Sequence, residues 1–293
     1  MRERFFPPRN RRHNRNVELV VRLISACIAI PALLAAQDAR EIVRRACDLD
    51  QKNLEISRNY TYLQRQEERD LDGSGNVKSR EVRTWDVTRQ EGSPYRRLVA
   101  RNDQPLSPKE QQFEQEKLEK SIEQRRGESP AERQRRIAEW QRRQEKQREP
   151  ARELPDAFDF RIVGEESLNG GDTWVIDATP KPGYKPKSAA AVFFPKVMAR
   201  LWIEKSGYEW VKVDMETLDT IAFGGILVRI GKGGHLLLEQ TRVNQEVWLP
   251  KRVRIDISGR LLLVKGIHRG IEMTFSDYKK FQAESRVVST EAR

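Results

Sequence analysis

Residues 200–216 read RLWIEKSGYEWVKVDME. Two arms rich in Val, Ile and Trp flank Ser206-Gly207, a pair with turn chemistry. The stretch therefore predicts a strand, a tight turn and a return strand. The texture repeats on both sides. Upstream, FDFRIVGEESL and DTWVIDATP flank NGG, a hairpin signal. Downstream come IAFGGILVRIG, HLLLEQTRV, EVWLPKRVRIDIS, RLLLVKGI and GIEMTFSDYKKF, joined by short connections that carry Gly, Asn, Ser or Pro. Only KSAAAVFFPKVMA interrupts the series, as a short apolar helix or lid segment. From residue 156 onward the chain reads as an antiparallel meander.

The N-terminal part adds a helix and three strands. DAREIVRRACDLDQKNLEIS starts at an expected capping box, Asp38 with Glu41. Ile42, Ala46, Leu49, Asn53 and Ile56 mark one face at helical spacing, apolar except for Asn53. NYTYLQRQEER, VKSREVRTWDVTRQ and YRRLVARND read as strands. Between the first two lies DLDGSGNVKSRE (70–81), which fits the calcium-loop pattern of an EF-hand, with Asp70, Asp72, Ser74 and Glu81 at ligand positions. Such a loop needs a helix on each side, and strand patterns flank this one. The preferred reading is a hairpin turn held by Asp70, Asp72 and Asn76, with Gly73 and Gly75 at positive φ.

Counting all pieces gives eleven or twelve strands. The expected class is α+β: a large curved antiparallel sheet, an unclosed β-barrel, with a helix on its concave side and a charged helical hairpin inserted. A closed outer-membrane barrel is the rival. It is disfavoured because strands such as KRVRIDIS lack a lipid-facing alternation.

Charge is unevenly spread. Of a net +11, residues 1–22 supply seven arginines against two glutamates. The apolar run Leu23–Ala36 follows, ending in small residues. At 14 residues it is shorter than the about 20 that a membrane span needs. Residues 1–36 thus read as a signal peptide or N-terminal anchor, which predicts a periplasmic protein or one anchored on the periplasmic side. Cys47 would be the one cysteine of the exported part, and a small buried helix residue is preferred to a reactive thiol. Residues 37–106 form the helix and first strands, 107–153 the insertion, 154–283 the rest of the same domain and 284–293 a tail.

The insertion carries Ser107-Pro108 with Glu110 and Ser129-Pro130 with Glu132, two helix-start signals of one form. They predict helices over about 108–126 and 130–148. Its 13 basic against 11 acidic residues leave too little one-sided charge for a nucleic-acid arm, so a solvated helical excursion is the preferred reading.

No nucleophile elbow, P-loop or dinucleotide fingerprint occurs. His235 and His268 lie on different expected strands without a spaced ligand set, so neither a metal nor a cofactor is expected. The expectation is a protein that is not an enzyme.

The succession RLWIEKSGYEWVKVDME, then FGGILVRIGKGGHLLLEQTRVNQEVWLPKRVRIDISGRLLLVKG, then HRGIEMTFSDYKKF resembles proteins of the outer-membrane lipoprotein-sorting type, the periplasmic lipoprotein carrier superfamily. NYTYLQRQEERDLDGSGNVKSREVRTWDV is similar to the opening hairpin of its long bacterial members. The resemblance covers most of 38–106 and 156–283, and the insertion at 107–153 departs from the compact carriers. It implies an unclosed barrel around an apolar cavity with helices as a lid, and a carrier of acyl chains of lipoproteins or other lipids. Trp174, Phe193, Phe194, Met198, Trp202, Trp210 and Met215 are the candidate cavity or lid residues, broad aromatic faces and flexible Met suiting variable chains. The expected partner is a lipid or an acylated lipoprotein, and the alternative is an envelope scaffold that meets a protein partner through 107–153.

Overall fold

The computed structural model describes residues 29–223, 228–261 and 265–281. The arginine-rich start and the tail 284–293 lie outside the described residues, as does part of the Leu23–Ala36 run.

Strand-forming segments dominate. They are β1 (Tyr60–Leu71), β2 (Val77–Gln90), β3 (Ser93–Arg101), β4 (Gln104–Pro105), β5 (Phe158–Leu168), β6 (Gly171–Pro180), β7 (Val197–Glu204), β8 (Trp210–Thr217), β9 (Ile221–Phe223), β10 (Val228–Ile230), β11 (His235–Val243), β12 (Val247–Leu261) and β13 (Lys265–Lys280). All join one sheet in the order β4-β3-β2-β1-β13-β12-β11-β8-β7-β6-β5, with β10 beside β12 and β9 beside β10. Every pairing is antiparallel. The sheet ends at β4 and β5, so it is not closed, and the closed-barrel rival does not apply. The chain is α+β, a 13-stranded open antiparallel sheet with helices.

Turn chemistry sets the hairpins. Asn169 and Gly170 both take positive φ (53° and 81°) between β5 and β6, the geometry a two-residue hairpin loop requires. Between β1 and β2, Asp72 Oδ1 accepts the backbone N–H groups of Ser74 and Asn76 at 2.8 and 2.9 Å. Gly75 takes φ +87°, whereas Gly73 does not need positive φ. Glu81 is a strand residue paired with Arg83, and Asp70 binds Arg269 at 2.8 Å. The calcium-loop lookalike is a hairpin turn.

Three expectations are corrected. IAFGGILVRIG is not one strand but the paired β9 and β10, and its residues 224–227 lie outside the described ones. RLLLVKGI is not a strand of its own: β12 runs on to Leu261 and β13 starts at Lys265. The first helix, α1 (Ala29–Ser57), runs through Asp38, so no capping box starts it there. Glu41 instead binds Arg44 and Arg45 within the helix.

α1 packs its small-residue face on the sheet. Ala39, Val43 and Ala46 are fully buried against Phe158, Ile176, Leu201, Ile203 and Trp210 of β5–β8. Alanines let the helix axis approach closely, and the β-branched strand residues fill the space between. Asn53, the polar exception on that face, is buried and bonded twice to Trp248, donating to its carbonyl at 2.6 Å and accepting from its N–H at 2.9 Å.

α2 (Pro108–Arg126) and α3 (Pro130–Arg148) start as their signals require, each with a reciprocal capping box, Ser107 with Glu110 and Ser129 with Glu132. They are not only a solvated excursion. Arg125 donates to the Gln90 carbonyl at 2.9 Å and Arg136 to the Glu91 carbonyl at 3.0 Å, which ties the arm to the β2–β3 turn. Trp140 lies under Arg58 and Arg89, at 5.5 and 5.3 Å. At the far end Arg148 donates to the Asp50 carbonyl at 2.9 Å and pairs with its carboxylate. A 3₁₀ turn (Glu149–Glu153) and the short α4 (Leu154–Ala157) lead into β5.

Candidate functional site

Cross-strand register sorts side chains between the two faces of the sheet, because directly opposed residues point the same way. Ile176 faces Leu201, and Ala199 faces Met215, all on the α1 side. That parity continues across the sheet. Met215 opposes Leu236, Leu236 opposes Ile255, and Ile255 opposes Ile271. In the next row Val213 opposes Leu238, Leu238 opposes Val253, and Val253 opposes Met273.

Two adjoining cavities open on this face. The first, about 230 Å³, lies between Val43 of α1, Phe158, Phe160, Phe194, Trp210 and Leu238. The second, about 150 Å³, is bounded by Phe193, Ile221, Ile230, Leu236, Ile255 and Ile257. Val197 and Met215 line both. Each is smaller than the roughly 300–1,000 Å³ of ordinary small-molecule pockets, so together they suit a slender chain better than a bulky ligand. From Leu236, Leu238 and Ile255 in the cavity walls the apolar strip runs on over β12 and β13 to Val253, Ile271 and Met273, and all six stay partly exposed.

The sequence candidates divide between the faces. Phe193, Phe194, Trp210 and Met215 line the cavities. Trp210 is oriented by an N–H bond of 3.2 Å to the Ala46 carbonyl, and Phe194 packs edge-on against Phe158, 5.3 Å between ring centres. Trp174 lines neither cavity; it is partly buried against the α1-side core, its ring tilted against Tyr208 at 5.3 Å. Met198 and Trp202 have the wrong parity. Trp202 is buried on the opposite face with Val175, Val211 and Trp248, and its indole donates to Glu166 at 2.6 Å. Met198 is 42% exposed on that same side. Missed in the sequence were the aliphatic members, Val197, Leu238, Ile255 and Met273 among them. Alternation in phase with Met215 is the signal that finds them, and it needs the register to extend from strand to strand.

The polar end of the trough is acidic. Asp50 lines the first cavity, and burial raises its carboxyl above the ordinary value even though Arg148 beside it acts the other way. Glu209 nearby is raised to about 7, first by burial, then by the Asp50 and Glu204 carboxylates, against Arg242. Cys47 packs against the same core, and burial pushes its thiol up to about 12, which makes it a poor nucleophile. Among the described residues no group of three or more His, Cys, Asp or Glu could hold a metal. None of the described helices is long and apolar enough to cross a membrane.

No family model matches the chain, and no curated protein does. Solved structures do. The chain is similar to an outer membrane lipoprotein-sorting protein domain from Vibrio parahaemolyticus, with 11% identity and a TM-score of 0.32 over 83% of this chain and 94% of that one. It is also similar to a LolA superfamily protein from Nitrosomonas europaea, with 10% identity and a TM-score of 0.30 over 83% and 93%. A third is the MucA/MucB complex of Pseudomonas aeruginosa, with 10% identity and a TM-score of 0.24 over 84% and 100%.

Proposed function

We propose that the chain is an exported, non-catalytic binding protein that holds an acyl chain, of a lipid or of an acylated protein, along the concave face of its sheet. One observation carries this reading: the apolar strip that starts in the two cavities continues over β11–β13 as side chains left partly exposed. Burying such a strip under a flexible hydrocarbon gains about 25 cal/mol per Å² of apolar surface without requiring a polar partner. The basic and apolar start of the sequence supports export to the periplasm.

The test is native mass spectrometry of the purified chain, with uptake of a hydrophobic dye. Lipid adducts, or dye uptake that a fatty acid displaces, are expected. Leu238→Glu, which sets a charge in the strip, should weaken uptake at least tenfold. A parent chain with neither adduct nor uptake would overturn the reading.

A second reading has one observation in its favour. Phe113 on α2 is 60% exposed, an aromatic that a partner protein could cover. Phe113→Ala should then abolish a pull-down from envelope extracts and leave dye uptake unchanged.

A further inference from the structure

Three connections meet at the end of the sheet where the second cavity opens. They are the 181–196 segment, the β8–β9 turn (218–220) and the β10–β11 turn (231–234). Backbone bonds tie them together: Leu218 N–H to the Lys196 carbonyl at 2.8 Å, and Gly233 N–H to the Thr217 carbonyl at 2.9 Å. The 181–196 segment is anchored from behind. Glu153, buried, accepts the Lys187 N–H at 2.8 Å and the Tyr184 hydroxyl.

Two features set this rim apart. KPGYKPKSAAAVFFPK (181–196) holds four lysines and no acidic residue. Among the described residues Lys181, Lys185 and Lys232 are exposed and form no ion pair, while Lys187 and Lys196 pair with Asp156 and Asp219. Among the lysines stand Val192, 48% exposed, and Leu218, 36% exposed, next to Phe193 and Val197 of the cavity wall. Large apolar side chains held in water beside unpaired lysines match a bilayer interface, where the apolar groups enter the acyl boundary and the lysines meet anionic headgroups.

We propose that this rim docks on the surface of an anionic lipid bilayer and turns the open end of the trough toward the membrane. The occupant follows from charge complementarity: unpaired cations call for an anionic surface, and the flanking apolar residues call for one with a hydrocarbon layer beneath. Membrane docking does not require the trough to be loaded, although the direction of the trough gains its meaning from the acyl-binding reading.

The experiment is flotation of the full chain with vesicles of phosphatidylcholine alone and of phosphatidylcholine with one third phosphatidylglycerol. Binding should be stronger on the anionic vesicles and should fall with added salt. Two variants, Lys185→Glu with Lys232→Glu and Val192→Asp with Leu218→Asp, should each weaken it about tenfold or more. Dye uptake by the same variants serves as the fold control and should match the parent. Variants that bind like the parent would overturn the proposal and assign vesicle binding to another part of the chain, such as its arginine-rich start. So would a parent that makes no distinction between the two vesicles, or that binds neither. Leu238→Glu separates the two readings: it should lose dye and keep vesicle binding, whereas loss of both or of vesicle binding alone would overturn the independence of the rim.

Discussion

The concave face has two halves built from the same side-chain types, and they differ in what lies over them. On β5–β8, Ile176 and Ile203 are fully buried beneath Ala39, Val43 and Ala46 of α1. On β11–β13, Leu238, Ile255 and Met273 occupy equivalent pleat positions and stay partly exposed. Identical alternation therefore yields a core in one half and an open apolar surface in the other. A core stabilises by permanent burial. An open strip of the same composition holds that gain in reserve for whatever covers it.

The largest effect should separate the halves by stability. Ile203→Ala removes packed volume under α1 and is expected to cost about 2–5 kcal/mol in urea unfolding. Ile255→Ala, with part of its surface already in water, should cost roughly 1 kcal/mol. Equal losses would erase the distinction between core and open strip.

Next in size is the pin that sets where α1 stops. Asn53→Ala leaves the Trp248 N–H and carbonyl unpartnered and should cost about 2–3 kcal/mol by the same measurement. A change below about half a kcal/mol would mean that the helix is held by its apolar face alone.

A smaller effect is set by pH. Glu209 has its folded value raised from 4.5 to about 7, so the folded chain binds this proton more tightly than the unfolded chain does. Its contribution is present at low pH and is lost as pH rises through that window. Relative to Glu209→Gln, the parent should lose melting temperature between about pH 4.5 and 7. A flat difference would remove the acidic end of the trough from the account.

Smallest in energy, but direct, is the reactivity of Cys47. With its thiol pushed up to about 12, alkylation at pH 8, read by peptide mapping, should be slow in the folded chain. Fast labelling would show that α1 lifts from β5–β8 in solution, which would make the covered half openable too.

Legibility followed the range of each signal. Capping boxes at Ser107 and Ser129 and the Asn-Gly turn at 169–170 are local and were read correctly, because three or four residues hold all the atoms involved. Met198 and Trp202 were misassigned to the cavity because aromatic and sulfur chemistry says nothing about parity. Their side of the sheet follows from pairings with β6 and β8. The arm read as solvated because its composition is charged. Its arginines find their acceptors on turn carbonyls 31–45 residues away and on Asp50, 98 residues away, beyond the reach of any local pattern.

The sequence by itself determined most of the strands and their turns, both helices of the charged arm and the open antiparallel class, since propensity, alternation and capping act over short stretches. The tertiary structure alone decided which pleat face became the trough, where α1 stopped covering it, and that lysines and exposed apolar residues from three separate connections share one rim. Those outcomes depend on register carried from strand to strand and on one helix docking against four strands, where Ala46 and its partner Trp210 lie 164 positions apart.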